Sequence, residues 1–350
     1  MPDAPRPLIA VSFGPKTMAE AAAGLARVAV DADLVELRLD LLQEPYDLPA
    51  LLRERPSLPL LVTLRPVDQG GQSQASGADR LAVLVRAAEL GAEYVDLEWD
   101  AADAAAVAAL KSAGARVVVS RHDFSGMPDD LATGWWPDLA GRGADVVKIV
   151  GFARDVRDCL PVVRALRQAD RPTIAIAMGE AGLPTRVLAL REPSCFLTYA
   201  NPSSGDPVAP GQLPIADMLT VYRSRDLGPE TAAFGLLSPH QERAMAERYN
   251  SWFANTGVDA VAVPFVARED SADIVSAFRE LPIAGWHIHG AGLQETVGQA
   301  MDDLTPRACR QGKVNAIVAR DGALLGDWVE SPEEQFIQWT SRMPPVATPT

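Results

Sequence analysis

Two residues of this 350-residue chain suggest covalent chemistry. Lys148 lies in ADVVKIVGF (144–152), among Val146, Val147, Ile149 and Val150, in a run that reads as a strand buried on both faces. Only Lys16, Lys111, Lys148 and Lys313 are lysines among the 32 basic residues, so arginine fills most basic positions and a lysine inside a strand stands out. A lysine desolvated by Val and Ile, with arginines nearby, is expected to have a lowered pKa and a usable fraction of neutral amine. Such an amine attacks a ketone and forms an imine; once protonated, the imine draws electrons and acidifies the neighbouring C–H. His122, in SRHDF, could remove that proton and return one. Arginines at the rim could hold a carboxylate through paired N–H donors. From chemistry alone this is a Schiff-base lyase or aldolase acting on an anionic ketone.

The elements that would position these groups alternate. Strand patterns fall at 8–13, 34–41, 58–65, 94–99, 115–124, 144–150, 172–178 and 195–200. Helical patterns lie between and after them at 17–30, 47–54, 78–90, 101–113, 129–140, 155–168, 183–191 and 212–223. Eight strand–helix units in residues 1–225 predict an α/β fold, a closed (β/α)8 TIM barrel with its site at the C-terminal ends of the strands. An open doubly wound sheet is the alternative, but no G-x-G-x-x-G follows a strand. Glu36, Arg38 and Asp40 share one strand face, as do Asp96 with Glu98 and Ser120 with His122, while Arg65 ends the third strand. Any one of these could serve a structural ion pair; their convergence on one end of one barrel favours a site.

A net charge of −14 disfavours nucleic acid and anionic membranes as partners, and means that an anionic substrate needs a local arginine cluster. No apolar run approaches the ~18 residues of a membrane span. No secretory pattern opens the chain. Cys159, Cys195 and Cys309 are scattered and odd in number, which fits a reducing, cytoplasmic setting.

The stretches VELRLD, VTLR-x4-GG, YVDLEWD, SRHDF, ADVVKI, MGEAGLPTR and APGQLPIADM run through residues 8–222 in order. Together they resemble the type I 3-dehydroquinate dehydratases. The resemblance implies a barrel that dehydrates 3-dehydroquinate to 3-dehydroshikimate by imine chemistry, as a homodimer, with no metal or organic cofactor. It implies that Lys148 forms the imine, that His122 moves the protons, and that Glu36 orients the histidine and substrate hydroxyls. Arg38 and Arg65 would contact substrate oxygens, Arg186 would pair with the carboxylate, and Gln212 would close over the substrate. Two positions depart from the family pattern. Gln69 precedes Gly70-Gly71 where the family has Glu, and Val208 precedes Ala209 where it has Ser. Losing one hydrogen bond to a charged group costs about 1.5–3 kcal/mol, so a raised KM is expected. Ser203 or Ser204 could substitute for the missing hydroxyl.

From about residue 226 the pattern restarts, and residues 226–335 read as a second, smaller α/β domain followed by a tail at 336–350. FGLLS, NTGVDAVAVPF, LPIAGW and VNAIVARDGALLG resemble the substrate-binding half of shikimate dehydrogenase. Its chemistry is missing. Leu293 stands where that family's motif lysine falls, Trp328-Val329-Glu330 replaces Asn-Thr-Asp, and the remaining residues are too few for a dinucleotide domain. NADP-dependent reduction is therefore not expected. His287 and His289 alternate on one strand and could suit a metal, but no acidic or Cys partner accompanies them. The domain is expected to bury apolar surface in a dimer interface, to cover the barrel mouth, or to order the active-site loop. Two rival readings remain open: a non-catalytic quinate or dehydroquinate sensor, and a sugar-phosphate aldolase.

Overall fold

The computed structural model describes residues 6–53, 55, 57–202, 208–271 and 273–341, which form one sheet of nine strands and one of six. In the first, β1 (Leu8–Phe13), β2 (Leu34–Arg38), β3 (Leu60–Thr63), β4 (Tyr94–Glu98), β5 (Arg116–His122), β6 (Val146–Phe152), β7 (Thr173–Met178) and β8 (Leu197–Asn201) run parallel. The helices α1 (Met18–Val28), α2 (Leu48–Arg53), α3 (Gly77–Glu89), α4 (Ala104–Ser112), α5 (Trp136–Gly141), α6 (Cys159–Gln168), α7 (Leu183–Leu188) and α8 (Ile215–Thr220) alternate with them. Side-chain caps at Thr17, Ser76 and Asp103 start α1, α3 and α4 by accepting backbone N–H bonds. Each strand sends one set of alternate residues outward to the helices and the other into the ring.

β1 pairs with both β2 and β8, so the sheet curls round on itself, and a two-residue β9 (Leu213–Pro214) extends β8. Between β7 and β8 the described residues make only one bridge, Thr173 with Cys195, where Thr173 N–H donates to Ser194 (2.8 Å) and Phe196 N–H to Thr173 (2.9 Å). The ring thus closes at its N-terminal rim. Leu34, Leu61, Tyr94, Val118, Val146, Ile174 and Leu197 fill that end with apolar side chains. Above this plug the interior turns polar and buried, through Ser12, Glu36, Thr63, Asp96, Ser120 and Lys148.

The second sheet contains β10 (Ala232–Ser238), β11 (Ala260–Val266), β12 (Ile283–Ile288), β13 (Asp303–Leu304), β14 (Ala316–Arg320) and β15 (Ala323–Asp327), ordered β11-β10-β12-β14-β15-β13. The helices α9 (Arg243–Thr256), α10 (Ile274–Ala277), α11 (Ala291–Thr296), α12 (Pro306–Gln311) and α13 (Pro332–Thr340) accompany it. The stretch 314–328 is an antiparallel hairpin, turned at Asp321 and Gly322, both with positive φ. One sequence expectation is corrected here. The proposed boundary at 335/336 cuts through α13, whose Trp339 is buried and stacks 4.2 Å from Phe234 and 4.8 Å from Tyr249. Aromatic area of that size makes α13 part of the second core.

The two sheets share one contiguous apolar cluster, with α7 packed on β11. Ion pairs ring this contact. Arg157 meets Asp273 (2.6 Å), Arg164 grips Glu280 with two bonds (3.0 and 2.6 Å), and Arg243 grips Asp217 (2.9 and 2.7 Å). Exposed pairs contribute about 0–1 kcal/mol each, so apolar burial carries the joint. Arg164→Ala should therefore leave the thermal midpoint nearly unchanged, whereas truncation after Leu227 should leave aggregated or strongly destabilised protein. Calorimetry and size-exclusion chromatography of the two variants check this.

Candidate active site

Lys148 stands on the inner face of β6 with its ammonium in the polar layer. Its Nζ donates to Asp96 Oδ2 (2.9 Å), the Tyr199 hydroxyl (3.0 Å) and Glu36 Oε1 (3.4 Å), which occupies all three N–H donors. Burial alone would lower the amine's pKa, but the charges of Asp96 and Glu36 outweigh it and raise the group above the ordinary lysine value. The expected lowering is thus overturned. The sequence shows the apolar neighbours along the strand but not the two carboxylates that the barrel brings across its interior. In the ligand-free site Lys148 is an ammonium.

His122, on the inner face of β5, behaves oppositely. Burial, together with the cations of Arg65 and Lys148, holds its imidazole well below the ordinary histidine value, so it is neutral at neutral pH. Its Nδ1 is buried and has no hydrogen-bond partner among the described residues. Its backbone N–H donates to Gln69 Oε1 (3.0 Å), and its ring stacks on Phe124 at 6.3 Å. Gly70 adopts φ 79° directly beneath Phe124, and a Cβ at Gly71 would come within 2.1 Å of the Arg65 carbonyl oxygen. The Gly-Gly pair lets Gln69 reach this position. Glu36, assigned to orient the histidine, makes its bonds elsewhere: it accepts from Ser12 Oγ (2.5 Å), Thr63 Oγ1 (2.9 Å) and Lys148.

The arginines divide into two kinds. Arg38 is bidentate to Asp40 (2.9 and 2.8 Å), and Arg65 donates to Asp96 (2.5 Å), Ser120 (2.6 Å) and Glu98 (3.0 Å). Burial pushes Glu98 up to about 7, with Asp96 adding to this against Arg65 and Arg80. Asp96 itself is pulled well below the carboxylate range, its burial overcome by Arg65 and Lys148. Arg186, from α7, is different. It is 1% exposed, pushed down to about 10 by burial, donates Nη2 to the Pro210 carbonyl (2.9 Å), and leaves Nε unpaired. Among the described residues no carboxylate faces it. The other cations of the cavity are balanced, so Arg186 carries its uncompensated positive charge.

All seven residues singled out from the sequence (Glu36, Arg38, Arg65, His122, Lys148, Arg186 and Gln212) line one cavity of about 130 Å³. Val150, Ile176, Met178 and Phe124 give it an apolar wall, and Val208 to Gln212 close its far side. Gln212 Oε1 accepts from the backbone N–H groups of Val208 (3.1 Å) and Ala209 (3.3 Å), which fixes this loop. Val208 lines the cavity without a hydroxyl to offer, and Ser203 and Ser204 lie outside the described residues. Sequence reasoning gave no part to Tyr199 or Ser12, and named Asp96 without linking it to the amine. An Asp alternating with Glu98 on β4 was a signal for Asp96; nothing in CFLTYA singled out Tyr199. In the second unit, His287 Nδ1 meets the Tyr249 hydroxyl (3.1 Å) and His289 Nδ1 meets Glu242 (2.5 Å). Among the described residues no group of three or more His, Cys, Asp or Glu could hold a metal ion.

The fold and cavity define a class: a parallel (β/α)8 barrel whose mouth joins a buried amine, a neutral imidazole and a guanidinium with no carboxylate partner among the described residues. A family model described as Type I 3-dehydroquinase matches residues 9–229, and the chain belongs to that family. It is 33% identical over 305 residues to the bifunctional 3-dehydroquinate dehydratase/shikimate dehydrogenase of Arabidopsis thaliana, a chloroplastic protein, covering 84% of this chain and 50% of that one. The chain thus spans half the length of that relative. Against the 3-dehydroquinate dehydratase of Desulfotalea psychrophila it is 33% identical over 226 residues, 61% of this chain and 96% of the other. Among solved structures, the 3-dehydroquinate dehydratase of Geobacillus kaustophilus superposes with a TM-score of 0.56 at 26% identity, covering 61% of this chain and 89% of that one. The dehydroquinate dehydratase and shikimate dehydrogenase portion of S. pombe AroM superposes at 0.53 and 25% identity, over 92% of this chain and 64% of that one.

A buried, unpaired guanidinium costs the free protein stability and gains a partner only from an anion. Arg186→Met should therefore leave thermal stability equal or higher while weakening binding of a carboxylate ligand about ten- to hundredfold, one charged hydrogen bond being ~1.5–3 kcal/mol. Thermal melts and calorimetric titration with quinate measure the two effects separately.

Proposed function

We propose that this chain is a 3-dehydroquinate dehydratase working through an imine on Lys148. The carrying observation is one cavity that places a buried amine, a neutral histidine and an unpaired arginine together. Arg186 takes the substrate carboxylate, which directs the ring ketone toward Lys148. The amine adds to the C3 carbonyl carbon, the carbinolamine loses water, and a protonated imine forms. His122 Nε2 or Nδ1 then removes the C2 proton, and the electron pair passes into the imine. The imidazolium delivers a proton to the departing C1 hydroxyl, which leaves as water. Hydrolysis of the imine frees 3-dehydroshikimate and the lysine. A neutral His122 is the form this sequence needs at its start.

The second unit reads as a shikimate dehydrogenase-like domain without that enzyme's chemistry. In support, Glu269 Oε2 accepts from the backbone N–H groups of Gly292 (2.6 Å) and Leu293 (3.2 Å), so a carboxylate of the chain itself fills the start of α11. A homodimer rests on the family resemblance. A reducing compartment such as the cytoplasm suits three free cysteines, two of them buried.

Borohydride added with 3-dehydroquinate should fix a covalent adduct on Lys148, located by intact mass and peptide mapping. Absence of an adduct with quinate still bound would instead support a sensor. The pH profile is a second check. A base with a depressed pKa stays unprotonated to lower pH, so kcat should hold level as pH falls through 6.5, the ordinary histidine value. A descending limb centred at 6.5 would contradict the neutral-base role.

A further inference from the structure

We propose that Tyr199 is a catalytic residue of this site, carrying the proton that Lys148 must lose to become a nucleophile. The inference rests on the imine reading and addresses a difficulty within it: the resting amine is protonated and all three of its N–H groups are engaged. Asp96, Glu36 and Tyr199 are its partners, and they are not equivalent. Ionised carboxylates only accept hydrogen bonds, whereas a phenol both donates and accepts. Both carboxylates lie below their ordinary value despite burial, Glu36 through Lys148 and Arg38 and Asp96 through Arg65 and Lys148. Arg65 hydrogen-bonds Asp96, at 2.5 Å, and not Glu36, which leaves Glu36 the less restrained proton acceptor.

Tyr199 lies on the inner face of β8, 4% exposed, with its hydroxyl 3.0 Å from Nζ and 3.5 Å from Glu36 Oε1. Its ring centroid is 4.7 Å from the same nitrogen. The phenol therefore touches both the ammonium and the carboxylate, and its 3.0 Å contact with Nζ is shorter than the 3.4 Å direct contact of Nζ with Glu36 Oε1. In the transfer, one N–H bond of Lys148 breaks as the phenol oxygen takes that proton. The phenol's own O–H bond breaks as Glu36 Oε1 takes its proton. Lys148 becomes a neutral amine with a lone pair, Glu36 becomes a carboxylic acid, and the phenol is regenerated with no co-reactant. As the carbinolamine loses its hydroxyl as water, that oxygen takes the proton held by Glu36, which is again a carboxylate once the protonated imine has formed. The nitrogen then keeps a single N–H for Asp96, and the Tyr199 hydroxyl, no longer accepting from it, keeps its donor on Glu36. The reverse path restores the ammonium after imine hydrolysis.

Tyr199→Phe removes the hydroxyl and keeps the ring over Nζ. Single-turnover formation of the borohydride-trapped adduct should slow by roughly a hundredfold or more, as for loss of a positioned proton carrier. The deficit should shrink as pH rises, because solvent base can then remove the proton. Binding of quinate, which lacks the ketone, and the thermal midpoint should stay within error of wild type. An unchanged trapping rate, with a clear adduct in wild type, overturns the role of Tyr199 alone. A slowing that is independent of pH and accompanied by weaker quinate binding assigns Tyr199 a structural role and also overturns it. No adduct in wild type overturns the imine reading itself, and this proposal with it.

Discussion

The barrel interior depends on the Asp96 carboxylate, which touches Lys148 and Arg65 at once. Two cations in an apolar ring would repel each other and would each lose their hydration, a cost of several kcal/mol per ion. One anion between them, with Glu36 and Glu98 at the flanks, turns that cost into a closed network. The network can exist only because β4 stands where its inner face meets the chains from β3 and β6. The shear of the ring and the apolar plug beneath it are what hold those three faces in line.

Charge balance then divides the cavity into fixed and responsive parts. Arg38, Arg65 and Lys148 are neutralised within the chain, and their carboxylates keep them in place. Arg186 is neutralised by nothing among the described residues, and it lies beside the loop that Gln212 pins. The cavity thus holds one guanidinium with no carboxylate partner among the described residues, beside an amine whose charge is already balanced. Val150, Ile176 and Met178 line the same cavity, and their low polarity strengthens the charge interactions beside them.

Much of this was legible in the sequence because barrel strands carry a period of two and barrel sites sit at strand ends. Glu36 with Arg38, and Ser120 with His122, could be placed on inner faces from alternation alone. What alternation cannot supply is distance across the ring. Lys148 and Glu36 are 112 residues apart in sequence, and the sign of the lysine's shift depends on that contact. Gln69 was legible as a departure from a family pattern, but its bond to the His122 backbone depends on a glycine-shaped loop. Tyr199 was invisible for a simpler reason: an aromatic residue in a buried strand is ordinary until its hydroxyl is seen facing an amine. In the second unit, α13 was missed because PEEQFIQWT is short and the limit at 335/336 falls inside it.

The single bridge between β7 and β8 gives the barrel a mechanical character. A cylinder laced along seven of its eight joints behaves like a cask with one loose stave, and its compliance concentrates there. Helix α7 lies over that joint, touching both strands, and β11 of the second sheet lies over α7. The appended unit thus acts as a hoop at the weakest seam. Arg186 projects from the helix caught beneath the hoop, so the stiffness of its backbone support is set from outside the barrel. A unit can be retained for this reason alone, as a girder whose contribution is rigidity.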